Sequence, residues 1–190
     1  MITIEIDFSR AKPVGDRHHR RNTDFRWTGA AEPYGEIELW AGNVPRVATV
    51  TATGLPAVEV RYPDSARNGP LPLDERTTMT IDGVVVRITS GRGLAKKDRA
   101  LRIEVGERSY TYLVTGTNVE ELRDGDGNPL VEVKRLRGPK PIKLIIAPTA
   151  RPEALALALA LLMVDSKLTV TRAALSGALK IFDSGQGEPG

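Results

Sequence analysis

Cysteine is absent from the chain. That excludes disulfides, thiol nucleophiles and thiolate metal sites, makes zinc a poor fit, and suits either a reducing cytoplasm or a simple lack of need. Histidine is nearly as scarce. The only two, His18 and His19, are adjacent, and neighbouring side chains on an extended chain point apart, so a two-histidine metal site would need a special turn. Acid–base chemistry would fall on carboxylates or lysine. Aromatic residues make up only 5% of the chain, too few rings for the stacking platforms that hold single-stranded nucleic acid. An excess of one charge is missing as well. Lys and Arg number 27 against 24 Asp and Glu, for a net charge of +3, and so mild a balance implies a polyanionic partner only where cations cluster locally. No nucleophile elbow, HExxH motif or paired-carboxylate spacing occurs. The sequence therefore points to no catalytic residue and no cofactor.

What is present is mostly strand. MITIEIDFSR alternates Ile2, Ile4, Ile6 and Phe8 with Thr3, Glu5 and Asp7, a strand pattern and not the charged-then-apolar opening of a signal peptide. A cytoplasmic location is the expectation. Arg10 to Arg21 is basic, contains Pro and Gly, and reads as a loop. Strand-like segments follow at about Asp24–Trp27, Gly35–Trp40, Arg46–Thr51 and Ala57–Tyr62, separated by turn residues such as Glu32-Pro33 and Gly42-Asn43. Pro63 to Pro72 is too rich in Pro, Gly and Asn to be regular. Thr77–Ile81 and Val84–Ser90 form a hairpin through Asp82-Gly83, a dipeptide favoured in tight turns. Two further pairs are Leu101–Val105 with Arg108–Thr115, and Val119–Arg123 with Leu130–Arg135. Ile142–Ala147 completes the series, and Lys167–Thr171 suggests a strand beyond it.

One strongly apolar run interrupts this pattern, PEALALALALLMVD from Pro152 to Asp165. Ala and Leu are the best helix formers, and no β-branched residue appears before Val164. Pro152 suits a first turn, Glu153 complements the helix dipole there, and Thr149 or Arg151 is the candidate cap. At 1.5 Å per residue the helix spans about 21 Å, short of a bilayer crossing. With no polar residue from Ala154 to Val164 it has no wet face and must be enclosed by protein. Burial of its large side chains would contribute about 10 to 20 kcal/mol as an upper bound.

An antiparallel sheet of about twelve strands must split into a sandwich or close into a barrel, and a closed barrel of that size has room for more than side chains. The fold expected is mainly β: a closed antiparallel barrel around a buried hydrophobic helix near the C-terminus. It occupies residues 1–172 with its central helix at 152–165. Residues 173–190 form an extension, a short helix at Ala173–Phe182 and then a flexible tail.

The late hairpin VEELRDGDGNPLVEVKRL (Val119–Leu136), the strand IKLIIA (Ile142–Ala147) and the helix PEALALALALLMVDSKL (Pro152–Leu168) resemble the tubby C-terminal superfamily, in particular its LURP-one-related and phospholipid-scramblase-like branches. In order, spacing and length the resemblance extends over residues 1 to about 172, although more residues follow the final strand than the family pattern has. It implies a twelve-stranded barrel wrapped around a hydrophobic helix, and a binding or regulatory module more readily than an enzyme. Anionic phospholipids or phosphoinositide-like headgroups at a membrane surface are the ligands it implies. No lipid-binding position of the family carries over onto a particular residue here.

The residues themselves offer two basic clusters. Lys134, Arg135, Arg137, Lys140 and Lys143 lie in KRLRGPKPIK without an intervening acid, and Arg92, Lys96 and Lys97 lie in a Gly-rich stretch. Either would hold an anion by charge-assisted hydrogen bonds, or serve as a solvated connection that keeps strand edges apart. Asp124, Asp126 and Asn128 imitate the opening of a calcium loop. Pro129 stands where that loop needs Gly and Arg135 where it needs Glu, so a hairpin turn is expected. A partner protein docked on the barrel is the alternative to lipid, and an enzyme or lipid carrier using the interior is a third reading; nucleic acid is disfavoured.

Overall fold

Alternation of apolar and polar residues puts one face of each strand in the core. On β9 (Leu101–Val105), Leu101, Ile103 and Val105 are buried while Arg102 and Glu104 are exposed. The structure, a computed structural model, describes residues 3–12, 23–43, 46–64, 70–90, 100–136 and 141–165. Its strands before β9 are β1 (Ile4–Arg10), β2 (Thr23–Ala31), β3 (Gly35–Asn43), β4 (Arg46–Thr51), β5 (Val58–Arg61), β6 (Leu71–Pro72), β7 (Thr78–Ile81) and β8 (Val84–Ser90). After it come β10 (Arg108–Gly116), β11 (Val119–Asp124), β12 (Pro129–Arg135), β13 (Ile142–Ile146), the helix α1 (Pro152–Leu162) and β14 (Val164–Asp165).

All of these strands except β6 and β14 close into one antiparallel barrel, in the order β1, β13, β12, β11, β10, β9, β8, β7, β5, β4, β3, β2. Almost every strand pairs with its neighbour in sequence. β1 closes the ring by changing partner along its length: Ile4 to Phe8 lie opposite β13, while Ser9 lies opposite Thr28 and Arg10 opposite Trp27 of β2. Gly29 marks that corner, since a Cβ there would stand 3.0 Å from Ile6 and 3.1 Å from the carbonyl oxygen of Asp7. At Asp82-Gly83 both residues have positive φ, 48° and 77°, the conformation that tight hairpins favour.

The helix packs against β12 and also against β4, β5 and β7. Because β12 and β5 stand on opposite sides of the ring, α1 lies along the barrel axis. From Ala154 to Val164 no residue is more than 4% exposed. The N-cap is Arg151, which holds an extended backbone conformation but makes no side-chain capping bond. The end of the helix differs from the sequence expectation in two ways. The helix stops at Leu162, and Val164–Asp165 turn into a two-residue parallel strand against Leu71–Pro72, inside the stretch expected to be irregular. The apolar run continues through this change, which hides it. The expected strand at Lys167–Thr171, the helix at Ala173–Phe182 and the tail lie outside the described residues.

Outward-facing positions carry charge, as with Glu132, Lys134 and Lys143, while the inside is apolar apart from a few buried polar side chains, Glu120 foremost. This is the reverse of the apolar-out, polar-in order of membrane-spanning barrels. No helix among the described residues is long and apolar enough to cross a membrane.

Candidate functional site

Antiparallel pairing fixes which connections share an end of the barrel. The lower rim, where α1 begins, holds residues 32–34, 52–57, 82–83, 106–107, 125–128 and 147–151. The upper rim, where α1 ends, receives the connections β1–β2, β3–β4, β5–β7, β8–β9, β10–β11 and β12–β13. The described strand ends that flank three basic stretches of the sequence, Arg10 and Thr23, Ser90 and Leu101, and Arg135 and Ile142, lie at this upper end. Between β1 and β2 stand Lys12, Arg17, Arg20 and Arg21 against a single acid, Asp16. Between β8 and β9 stand Arg92, Lys96, Lys97 and Arg99 against Asp98, and between β12 and β13 stand Arg137 and Lys140 with no acid. The lower rim carries Glu32, Asp82, Glu107, Asp124 and Asp126 against Arg108 and Arg151.

The sequence-expected cluster divides on inspection. Lys134 and Lys143 stand directly opposite each other on β12 and β13. Each is paired with a carboxylate, Lys134 with Glu132 at 2.9 Å and Lys143 with Glu5 at 2.7 Å. The Glu5 partnership, with further help from Asp7, holds the Lys143 ammonium above its ordinary pKa. Arg135 turns toward the barrel interior, where its Nη2 and Nε donate to Glu120 at 3.1 and 3.3 Å. This portion of the wall is therefore close to neutral. Arg137, Lys140, Arg92, Lys96 and Lys97, like His18 and His19, lie outside the described residues.

Glu120 is the polar residue that sequence reasoning missed. It is 1% exposed and accepts a 2.6 Å bond from the Tyr112 hydroxyl in addition to the two from Arg135. A signal for it existed, because Glu120 shares the inward parity of Leu122 on β11. At the lower rim a second network fastens the helix start: Arg108 Nη1 and the Tyr110 hydroxyl each donate to Glu153 at 2.6 Å. A cavity of about 760 Å3 opens beside it, lined by Leu55, Pro56, Val84, Glu107 and Pro152 among others. A smaller one of about 420 Å3 lies toward Ser109 and Gly125. Near the upper rim, Arg46 and Arg76 flank the buried Tyr62 ring, at 5.7 and 4.8 Å from its centre, beside a cavity of about 660 Å3. Arg76 also donates to the Tyr62 hydroxyl and pairs with Asp64.

The Asp124-Gly-Asp-Gly-Asn stretch is a hairpin turn. The Asp124 carboxylate accepts from the backbone N–H of Asp126 at 3.0 Å, from that of Asn128 at 2.8 Å and from Asn128 Nδ2 at 3.0 Å. These bonds, the Asn128 side chain first, hold its pKa below the ordinary carboxylate value. Its acceptor capacity is spent on its own loop. Among the described residues no group of three or more His, Asp or Glu lies close enough together to hold a metal ion.

The chain has 4 tyrosines, Tyr34, Tyr62, Tyr110 and Tyr112, and each is held above the ordinary value, with burial as the first cause. Tyr110, with Glu153 adding to the effect, is raised to about 12. A raised phenol contributes stability that is intact below about pH 10, where the unfolded chain keeps its protons, and is lost as pH rises through the folded value. Spectrophotometric titration should therefore show no tyrosinate step near pH 10 in the folded protein, then a steep late rise that coincides with unfolding. In denaturant all four should ionise near pH 10. A large folded-state step at that pH would contradict the buried placement of these rings.

No protein-family model matches the chain, and no curated protein or solved structure is significantly similar to it. By its own geometry the protein is a closed antiparallel barrel with a helix along its axis.

Proposed function

We propose that the protein is a non-enzymatic binding module that meets anionic phospholipid headgroups with its upper rim, as a peripheral partner of the membrane surface. The observation that carries this reading is that the strand ends flanking three separate basic stretches of the sequence lie at one end of the barrel. Clustered cations act together on an anionic surface, each worth about 1 kcal/mol near the lipid. A twelve-strand ring with one helix near its C-terminal part also supports the tubby-like reading of Val119–Leu136, Ile142–Ala147 and Pro152–Leu168. The binding surface is assigned to the connections of the rim, because Lys134, Arg135 and Lys143 are already offset by carboxylates.

Co-sedimentation with phosphatidylserine vesicles across a salt series tests this. Binding should fade as salt rises and be absent with neutral vesicles. Changing Arg92, Lys96, Lys97, Arg137 and Lys140 together to Gln should weaken it more than about a hundredfold, while Lys134→Gln with Lys143→Gln should change it far less. Salt-insensitive binding, or equal effects of the two variants, would refute the assignment.

A further inference from the structure

The largest of these cavities faces away from the basic rim and has a mixed character. Its wall includes Leu55, Pro56, Ile81 and Val84, and its edge carries Asp82 and Glu107 beside the Arg108–Glu153 ion pair, an excess of two carboxylates. Val84 and the adjacent Val85 are 45% and 62% exposed, so apolar surface continues out of the cavity onto the β7–β8 turn. The floor is firmly built. Asp82 accepts a 2.7 Å bond from the Ala57 N–H and donates its own N–H to the Ala57 carbonyl at 2.8 Å, tying the β4–β5 connection to the β7–β8 turn.

The opposite rim presents the complementary surface. Leu136, just past the end of β12, is 46% exposed although its backbone is held by a 2.7 Å bond to the Pro141 carbonyl. Exposed Arg10 and Lys12 end the strand that lies across β13 from it. One end of the molecule thus shows an apolar recess edged with carboxylates, and the other an apolar projection beside cations.

We infer that the barrel associates head to tail with a second copy of itself, Leu136 of one copy seating in the Leu55–Pro56–Val84 recess of the next. The two surfaces differ and lie at opposite ends, so the contact is heterologous. Nothing in it limits assembly to two copies, and short open stacks form as concentration rises. Attraction between Arg10 and Lys12 of one copy and Asp82 and Glu107 of the next makes the association sensitive to salt. The proposal does not depend on lipid binding, although both use the upper rim, so stacking and vesicle binding should compete.

Sedimentation velocity on the full chain tests it. In low salt the average mass should climb above 20.6 kDa with protein concentration, and in about 0.5 M salt it should fall back, since charges are then screened within a few ångströms. Leu136→Asp should abolish the climb from one side, and Val84→Lys with Glu107→Lys from the other. All three positions are exposed, and circular dichroism would verify folding; Glu107→Gln, which removes only a charge, should weaken association in part. The decisive arm mixes the two inactive variants. Each keeps one competent rim, so they should pair and stop at two copies. A mass independent of concentration in low salt, association that survives either variant, or a mixture that stays monomeric would each overturn the proposal.

Discussion

Replacing Leu159 by alanine should destabilise the protein by about 3 to 5 kcal/mol, the upper part of the range for buried leucines. The reason is geometric. A cavity costs least where the surroundings collapse onto it, but α1 is enclosed by a closed ring of hydrogen-bonded strands, and the circumference of such a ring is fixed by strand number and stagger. Little relaxation is open to it. For a chain of this size the loss corresponds to about 10 °C in Tm. Urea denaturation would measure it, with Val85→Ala on the exposed turn as the control, expected to stay within about 0.5 kcal/mol. Leu157→Lys should prevent folding, because α1 has no wet side along which a lysine could extend its ammonium. A loss below about 1 kcal/mol for Leu159→Ala would mean that the axis is not filled as described.

Removal of Glu120 should be nearly as damaging, and for a different reason. Glu120→Leu leaves Tyr112 without its acceptor and Arg135 without its counter-charge at the inner wall. Breaking a buried pair from one side costs about 3 to 5 kcal/mol, less here because Arg135 is 35% exposed and reaches water. The expected loss is about 2 to 4 kcal/mol. The sharper part of the prediction is the double variant. Changing Arg135 to Met in the same chain removes the stranded charge, and much of the lost stability should return. If the double variant were as unstable as the sum of the two single ones, the three side chains would not be acting as one network.

Much of the barrel is legible in the amino-acid order because an apolar-inside strand leaves a period-two trace. Arg46–Thr51, Val84–Ser90 and Leu101–Val105 have the same bounds in sequence and structure. β2 runs on to Ala31 where its residues give no such trace: Gly29, Ala30 and Ala31 favour no strand by themselves and are held by their ladder to β3. The end of α1 is concealed because Met163 and Val164 are apolar in either conformation. The ion pairs were harder still to read. Glu5 and Lys143 meet only because β1 and β13, far apart in the chain, close the ring. The shared end of the strand termini that flank the basic stretches, by contrast, follows from parity. In a meandering barrel, connections alternate between ends, and those after the first, seventh and eleventh barrel strands must fall together.

The place of α1 in chain order also bears on how the protein is made. Every strand of the barrel wall precedes the helix that fills it. On a ribosome adding about 5 to 20 residues per second, the inward faces of the wall emerge without the segment that covers them, and wait for it. Synthesis halted between Ala150 and Leu162 would release the whole wall with no centre, a product with its apolar lining open to chaperones, proteases and other copies of itself. The emergence of α1 thus decides whether the earlier strands become a barrel at all.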